Sequence, residues 1–431
     1  MRSTSFPTQP APTPRPFITE PKMAVRMAAV PASQQGVQQS SAVQREERVT
    51  RDTHVTQTTT QVLQAQLAMS QLATLPIGRL SRVHGVACGH ASERGKFKTE
   101  MQDRHVICNS IAALAAEHLP MSLLNNCESN DRDEWIHGKS PLDVLCSDDW
   151  DGWGDCVEEW TAPFRPCTFV GVFDGHAGTR AAATAASRLP QILARSVALW
   201  TALGGPGGTG ALKVGVESAL AALSVSVTEL DDEILSQARC RAPNEQDGTT
   251  ACCGLQVGEH LFIACCGDSR AVLCRNGGAV RLSRDLTPDL TDERQRITAA
   301  GGVVAQVRGT WRLILPLGPG RGAKLCAVSR ALGDLDFKEP LPLLSGTPEV
   351  SHWRLAPERD AFVIYASDGI WNVLSDQEAV ATVRDFLLAS AMNGLSGPKM
   401  AGAASASLLR LALERGASDD CTAVITVFEW V

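Results

Sequence analysis

Three aspartates each follow an apolar run, two of them with glycine directly after the acid. Phe169-Val-Gly-Val-Phe runs into Asp174-Gly175-His176, and Phe362-Val-Ile-Tyr-Ala-Ser runs into Asp368-Gly369. Leu261-Phe-Ile-Ala-Cys-Cys-Gly runs into Asp268. A buried strand that stops at a carboxylate leaves that carboxylate on the rim of a sheet, facing a cleft. Gly175 can turn the backbone tightly and offer its carbonyl to whatever Asp174 binds. His176 then stands close by as a proton donor. A single Asp-Gly is an ordinary turn, but the same construction repeats. Asp419 and Asp420 stand where the closing apolar run, residues 422–428, begins. Neighbouring strands of an antiparallel sheet reverse direction, so a beginning and an end can share one rim. Four unpaired carboxylate positions there would repel by several kcal/mol. Cations resolve that repulsion, and oxygen-only ligands suit Mg²⁺ or Mn²⁺ better than zinc.

Two such ions roughly 3.5–4 Å apart would share a water and bring its pKa toward neutrality. That is a nucleophile for in-line attack on phosphorus without a covalent enzyme intermediate. A Gly-x4-Gly-Lys-Ser/Thr phosphate cradle is absent, which disfavours a nucleotide-driven reaction.

The elements that must position these groups can be read around them. The chain has 431 residues, 44% of them hydrophobic, enough for a sizeable core. Residues 1–80 are rich in Ser, Thr, Gln and Pro and net basic, and read as a disordered tail. Six prolines between positions 7 and 21 spoil the amphipathic helix of an organelle-targeting peptide, so the expected compartment is cytoplasmic or nuclear. Residues 81–431 are expected to form the folded domain. Within it, residues 109–166 are strongly acidic and carry Trp135, Trp150, Trp153 and Trp160, as a solvated lobe or a partner-binding surface. Strands are expected near residues 82–88, 169–173, 249–257, 260–266, 270–274, 362–366 and 421–429. Asn276-Gly277 is a hairpin turn. Helices are expected over 179–203 with a break or kink at Pro190, over 214–239, and from a capping box at Ser375-Asp376-Gln377-Glu378. The glycine-rich stretch 308–323 reads as an exposed loop.

The net charge of -7 argues against nucleic-acid binding, and no apolar run is long enough to span a membrane. Fourteen cysteines without a Cys-x-x-Cys pair read as reduced, buried thiols.

Six ordered blocks now carry a family resemblance: Asp174-Gly-His-Ala-Gly, Asp247-Gly-Thr-Thr-Ala, Gly267-Asp-Ser-Arg-Ala, Ala327-Val-Ser-Arg-Ala-Leu-Gly-Asp, Ala366-Ser-Asp-Gly-Ile-Trp and Ser418-Asp419. Their order and spacing resemble the metal-dependent protein serine/threonine phosphatases of type 2C, over about residues 82–431. The resemblance implies an α+β fold, a four-layer α-β-β-α sandwich of two antiparallel sheets flanked by helices. It implies two Mn²⁺ or Mg²⁺ ions per chain, a weaker third, phosphoprotein substrates and a monomer. By motif, Asp174 resembles the carboxylate that bridges both metals, with Gly175 giving a carbonyl. Asp368 and Asp419 resemble further direct ligands, Asp268 a ligand of the third ion, and His176 the general acid. Asp334 and Arg330 look structural.

The family's usual Arg-x-x-Met-Glu-Asp is here Lys98-Thr-Glu-Met-Gln-Asp103. Lys98 stands in place of the phosphate-gripping arginine as a point charge. Gln102 replaces a glutamate near metal-bound water, and Asp103 stays on the metal side. Asn372 stands where a third-metal aspartate often lies, and Asp420 replaces an asparagine. The resemblance therefore implies an active phosphatase with weaker phosphate binding; the alternative is a catalytically weak, partner-binding module.

Overall fold

The computed structural model describes residues 83–111, 114, 167–196, 212–241, 246–357 and 359–430. The tail and nearly all of the acidic stretch 109–166 lie outside the described residues. One five-stranded sheet contains β1 (Val83–Glu93), β8 (Arg270–Arg275), β9 (Gly278–Arg281), β15 (Asp360–Ala366) and β16 (Cys421–Trp430). Its order is β1-β16-β15-β8-β9. The other contains β2 (Arg104–Cys108), β3 (Cys167–Phe173), β6 (Ala251–Val257), β7 (His260–Cys266) and β14 (Glu349–Arg354). Its order is β14-β7-β6-β3-β2. All pairings in both sheets are antiparallel.

The layers follow from which way each strand turns its side chains. In β3 every residue is buried, as expected of a strand covered on both faces. Phe169 and Phe173 pack with Leu189, Leu193, Leu223 and Leu230 of α1 (Arg180–Arg195) and α2 (Leu212–Arg239). Val170 and Val172, alternating with them, meet Leu273, Val363 and Tyr365 between the two sheets. On the far side, Phe362, Ile364 and Ile425 pack with Val380 and Leu408. Those last two belong to α6 (Asp376–Met392) and α7 (Gly397–Glu414). The result is helices, sheet, sheet, helices, as the family resemblance implied. Tyr365, the chain's single tyrosine, lies over Gly254, where a Cβ would come within 2.1 Å of its hydroxyl.

Two local expectations are corrected. α1 runs through Pro190 without stopping and ends at Arg195. A proline inside a helix costs about 3 kcal/mol. Burial of Leu189, Ile192 and Leu193, at about 1.5–3 kcal/mol each, outweighs it. The glycine-rich stretch 308–323 is half strand: β11 (Thr310–Pro316) lies within it and pairs antiparallel with β10 (Val303–Val307) before it and β12 (Ala323–Cys326) at its end. Arg308 and Gly309 both have positive φ, the two-residue turn that matches strand twist. Residues 317–322, the glycine- and proline-rich part of the stretch, are irregular and exposed as expected. The capping box at Ser375 and Glu378 forms as expected.

Candidate active site

Asp174 follows β3 and is fixed through its backbone. Its carbonyl accepts from Thr250 N at 2.9 Å and Thr249 Oγ1 at 3.1 Å, and its N–H donates to Thr250 Oγ1 at 3.2 Å. Asp268 sits in the tight link between β7 and β8. That link needs Gly267, with φ of 109°, because a Cβ would meet Thr250 Cγ2 at 2.6 Å. Asp368 opens the short helix α5 (Asp368–Trp371) directly after β15. One carboxylate oxygen from each of Asp174, Asp268 and Asp368 lies within 4.8 Å of the others. Three strand ends far apart in sequence therefore deliver three carboxylates to one point.

Further acidic groups surround this trio. Asp103 is buried, and its Oδ2 accepts from Ser367 Oγ at 2.7 Å. Its Oδ1 is buried without a hydrogen-bond partner. Asp419 is half-exposed and takes Lys98 Nζ at 2.9 Å. Lys98 also donates to Gln102 Oε1 at 3.0 Å. Burial, then the charges of Asp103, Asp368, Asp268 and Asp419, raise the Asp174 carboxyl well above the usual range. Asp268 is pushed up to about 7, by burial first and then by Asp368 and Asp285. Asp103 is pushed up to about 6, again chiefly by burial. Lys98 is engaged by Asp419, and among the described residues no cationic side chain forms an ion pair with Asp103, Asp174, Asp268 or Asp368. Oxygen-only donors, mutual repulsion and the orphaned Asp103 Oδ1 together fit a hard divalent cation.

A second group is assembled by the smallest sheet, β13-β5-β4, made of β4 (Gly175–His176), β5 (Gly248–Thr249) and β13 (Leu332–Gly333). His176 pairs with Gly248, and Gly248 with Gly333, so the residue after Gly333 arrives beside the imidazole. His176 Nε2 and Asp334 Oδ2 are 2.7 Å apart. Glycine is required at 248, since a Cβ there would lie 2.0 Å from Asp334 Oδ2 and 2.5 Å from His176 Nε2. Burial alone would lower the His176 pKa, but the charge and hydrogen bond of Asp334, then Asp268 and Asp247, raise it above the ordinary value. Asp247 anchors the neighbourhood: its Oδ2 accepts from Ala181 N at 2.8 Å and its Oδ1 pairs with Arg241 at 2.9 Å.

Asp174, Asp268 and Asp368 meet, whereas Asp103 and Asp419 flank them without joining the trio. Gly175 is buried, and a Cβ there would lie 2.5 Å from the Gln102 carbonyl oxygen. Asn372 donates to Asp368 Oδ2 at 3.0 Å. Asp420 accepts from Gly95 N and Gln102 N, each at 2.7 Å, and so braces the Lys98 loop. Sequence reasoning assigned Asp334 a merely structural place; its contact with His176 needs the β13-β5-β4 register, which no spacing announces. Arg330 does serve structure, through Glu293 at 2.7 Å.

Comparison with known proteins settles the lineage. The family model described as protein phosphatase 2C matches residues 164–421. The chain belongs to the protein phosphatase 2C family. It is 34% identical over 258 residues to probable protein phosphatase 2C 59 of Oryza sativa subsp. japonica, covering 60% of this chain and 65% of that one. It is 35% identical over 278 residues to protein phosphatase 2C 56 of Arabidopsis thaliana, covering 61% and 58%. The chain thus spans less than two thirds of the length of each of these relatives. The crystal structure of serine-threonine phosphatase 2C from Toxoplasma gondii shares the fold, with a TM-score of 0.58 and 19% identity over 82% of this chain and 97% of that one. The Lys98–Asp103 segment precedes the residues that the 2C model matches. No helix among the described residues is long and apolar enough to cross a membrane.

Proposed function

We propose that this chain hydrolyses phosphoserine and phosphothreonine on proteins with the help of Mn²⁺ or Mg²⁺. The observation that carries this reading is the convergence of Asp174, Asp268 and Asp368 beside the His176–Asp334 pair. Asp174, Asp368 and Asp419, with the Gly175 carbonyl, would hold two ions, and Asp268 a third. When bound, such ions supply charge neutralisation for the phosphoryl group and an acidified water. Lys98, on the exposed edge, binds the phosphate of the substrate as a point charge.

His176 handles the proton that the reaction needs at its other end. A serine or threonine oxygen leaves phosphorus as a poor, basic leaving group, so protonating it raises the rate by a factor of about 10²–10⁴. With Nε2 engaged by Asp334, the proton delivered comes from Nδ1. Asp334 favours the imidazolium that gives this proton and fixes the ring plane. No side chain bonds covalently to phosphorus in this scheme.

Phosphate release from a phosphothreonine peptide tests the reading. It is compared in Mn²⁺, in EDTA, and with Asp174→Asn in Mn²⁺. Release confined to the unaltered chain in Mn²⁺ is expected; equal release in all three overturns it.

A further inference from the structure

Asp334, the partner of His176, sits in a backbone conformation that aspartate seldom adopts. Its φ is 52° and its ψ 50°, in the left-handed region. Such a conformation is strained for a residue with a Cβ and persists only when its surroundings hold it there. One part of that hold comes from Asp247, whose carbonyl accepts from Asp334 N at 3.1 Å. The other comes from α2, on the opposite side of the loop.

Asp231 of α2 is 7% exposed and points its carboxylate into the 331–338 segment. Its Oδ1 accepts from Gly333 N at 2.8 Å, one residue before Asp334. Both its oxygens also take Lys338 Nζ at 2.7 Å, and Lys338 closes the last turn of α4 (Leu335–Lys338), which Asp334 opens. The third ammonium proton goes to Ala331 O at 2.7 Å. One buried ion pair therefore grips the chain before and after Asp334. Space for it is made by Gly346, where a Cβ would fall 1.9 Å from Asp231 Oδ2. Gly333, with φ of 80°, lets the loop pass Asp247.

We infer that Asp231 and Lys338 are positioning residues for proton delivery, holding Asp334 in reach of His176. The inference rests on the general-acid reading of His176 given above. The polar contacts of both residues are with each other, Gly333 and Ala331 rather than with the carboxylate trio. Breaking the pair leaves Asp334 free to relax toward the right-handed region, and His176 loses its orienting partner.

The test compares two substrates that differ in their need for an acid. A phosphothreonine peptide releases a basic alkoxide that must be protonated, whereas p-nitrophenyl phosphate releases a stable phenolate unaided. Asp231→Asn, Lys338→Met, the double variant D231N/K338M and His176→Gln are assayed on both in Mn²⁺. The double variant buries no unpaired charge, so it remains informative where a single one folds poorly. Asp231→Asn and the double variant are expected to lower kcat on the peptide about tenfold, part of the 10²–10⁴ that the acid itself provides. KM and turnover of the aryl phosphate should stay within about twofold. His176→Gln separates the two ideas: without a peptide-selective loss there, the general-acid reading fails. If His176→Gln is selective but the folded Asp231 and double variants lose both substrates equally, or neither, the positioning role is overturned.

Discussion

Lys98 Nζ stands 2.9 Å from Asp419 Oδ1 and 3.0 Å from Gln102 Oε1, so one ammonium links the exposed carboxylate to a neutral amide. Burial alone would lower its pKa, but Asp419, Asp420 and Asp174 raise it, so the charge is secure at neutral pH. An ammonium meets a phosphate as a point charge without fixed donor geometry, while a guanidinium offers two parallel donors matched to its oxygens. Lys98→Arg is therefore expected to lower KM for a phosphothreonine peptide about threefold to tenfold with little change in kcat. Steady-state kinetics at saturating Mn²⁺ measure this; an unchanged KM removes Lys98 from the phosphate contact.

Gln102 supplies a neutral oxygen where a carboxylate would add charge to the cation-binding edge. Its backbone is pinned by Asp420, so the side chain at 102 can change without moving the loop. Gln102→Glu should tighten Mn²⁺ binding by about tenfold, the order expected for one added negative charge near the surface. Calorimetric titration reads this directly. Affinity equal to that of the unaltered chain would show that residue 102 lies too far from the ions to matter.

Chelation should reverse the pH dependence of stability. In EDTA the carboxylates face one another without cations. Asp268 is pushed up to about 7 and Asp103 to about 6, against about 4 in an unfolded chain. Between those values the folded state binds protons that the unfolded chain does not, so its stability grows as pH falls. The melting temperature in EDTA should rise as pH is lowered from about 8 to about 6.5. In Mn²⁺ it should fall over the same range, because protons then compete with the ion. Parallel slopes in the two buffers would mean that the clustered carboxylates do not govern stability.

How much of this was legible depends on what each feature's physics requires. Asp174, Asp268 and Asp368 announce themselves because each ends a run of buried strand residues, and strand ends are set by local composition. The layers came from the family resemblance rather than from the strands: β3 is apolar throughout, which announces burial on both faces but not what covers each face. The β10-β11 hairpin was not, since its Arg308-Gly309 turn lacks the usual Asn-Gly or Asp-Gly signal. Pro190 misled because its helix is held by burial rather than by propensity. The Asp334–His176 contact and its support from Asp231 depend on register between segments about 100 or more residues apart, which no local pattern encodes.

The edges of the two sheets meet at a pair of imidazoles. The rings of His90 in β1 and His105 in β2 lie tilted at 33° to one another with centroids 3.8 Å apart. Burial, and then the His90 charge, push the His105 pKa down to about 4. An unfolded chain takes up this proton near pH 6.5, which the folded state refuses until about pH 4. Stability is thus whole above about pH 6.5 and drains away as pH falls toward 4, the opposite sense to the carboxylate cluster in EDTA. The whole shift corresponds to about 3 kcal/mol, and solvent reaching the half-buried ring reduces it to roughly 1–2 kcal/mol. His105→Phe keeps an aromatic ring against His90 and cannot be charged. Urea unfolding in Mn²⁺ at about pH 7 and about pH 5 should show the variant losing roughly 1–2 kcal/mol less than the unaltered chain between the two. Equal losses in both proteins would place the acid sensitivity elsewhere.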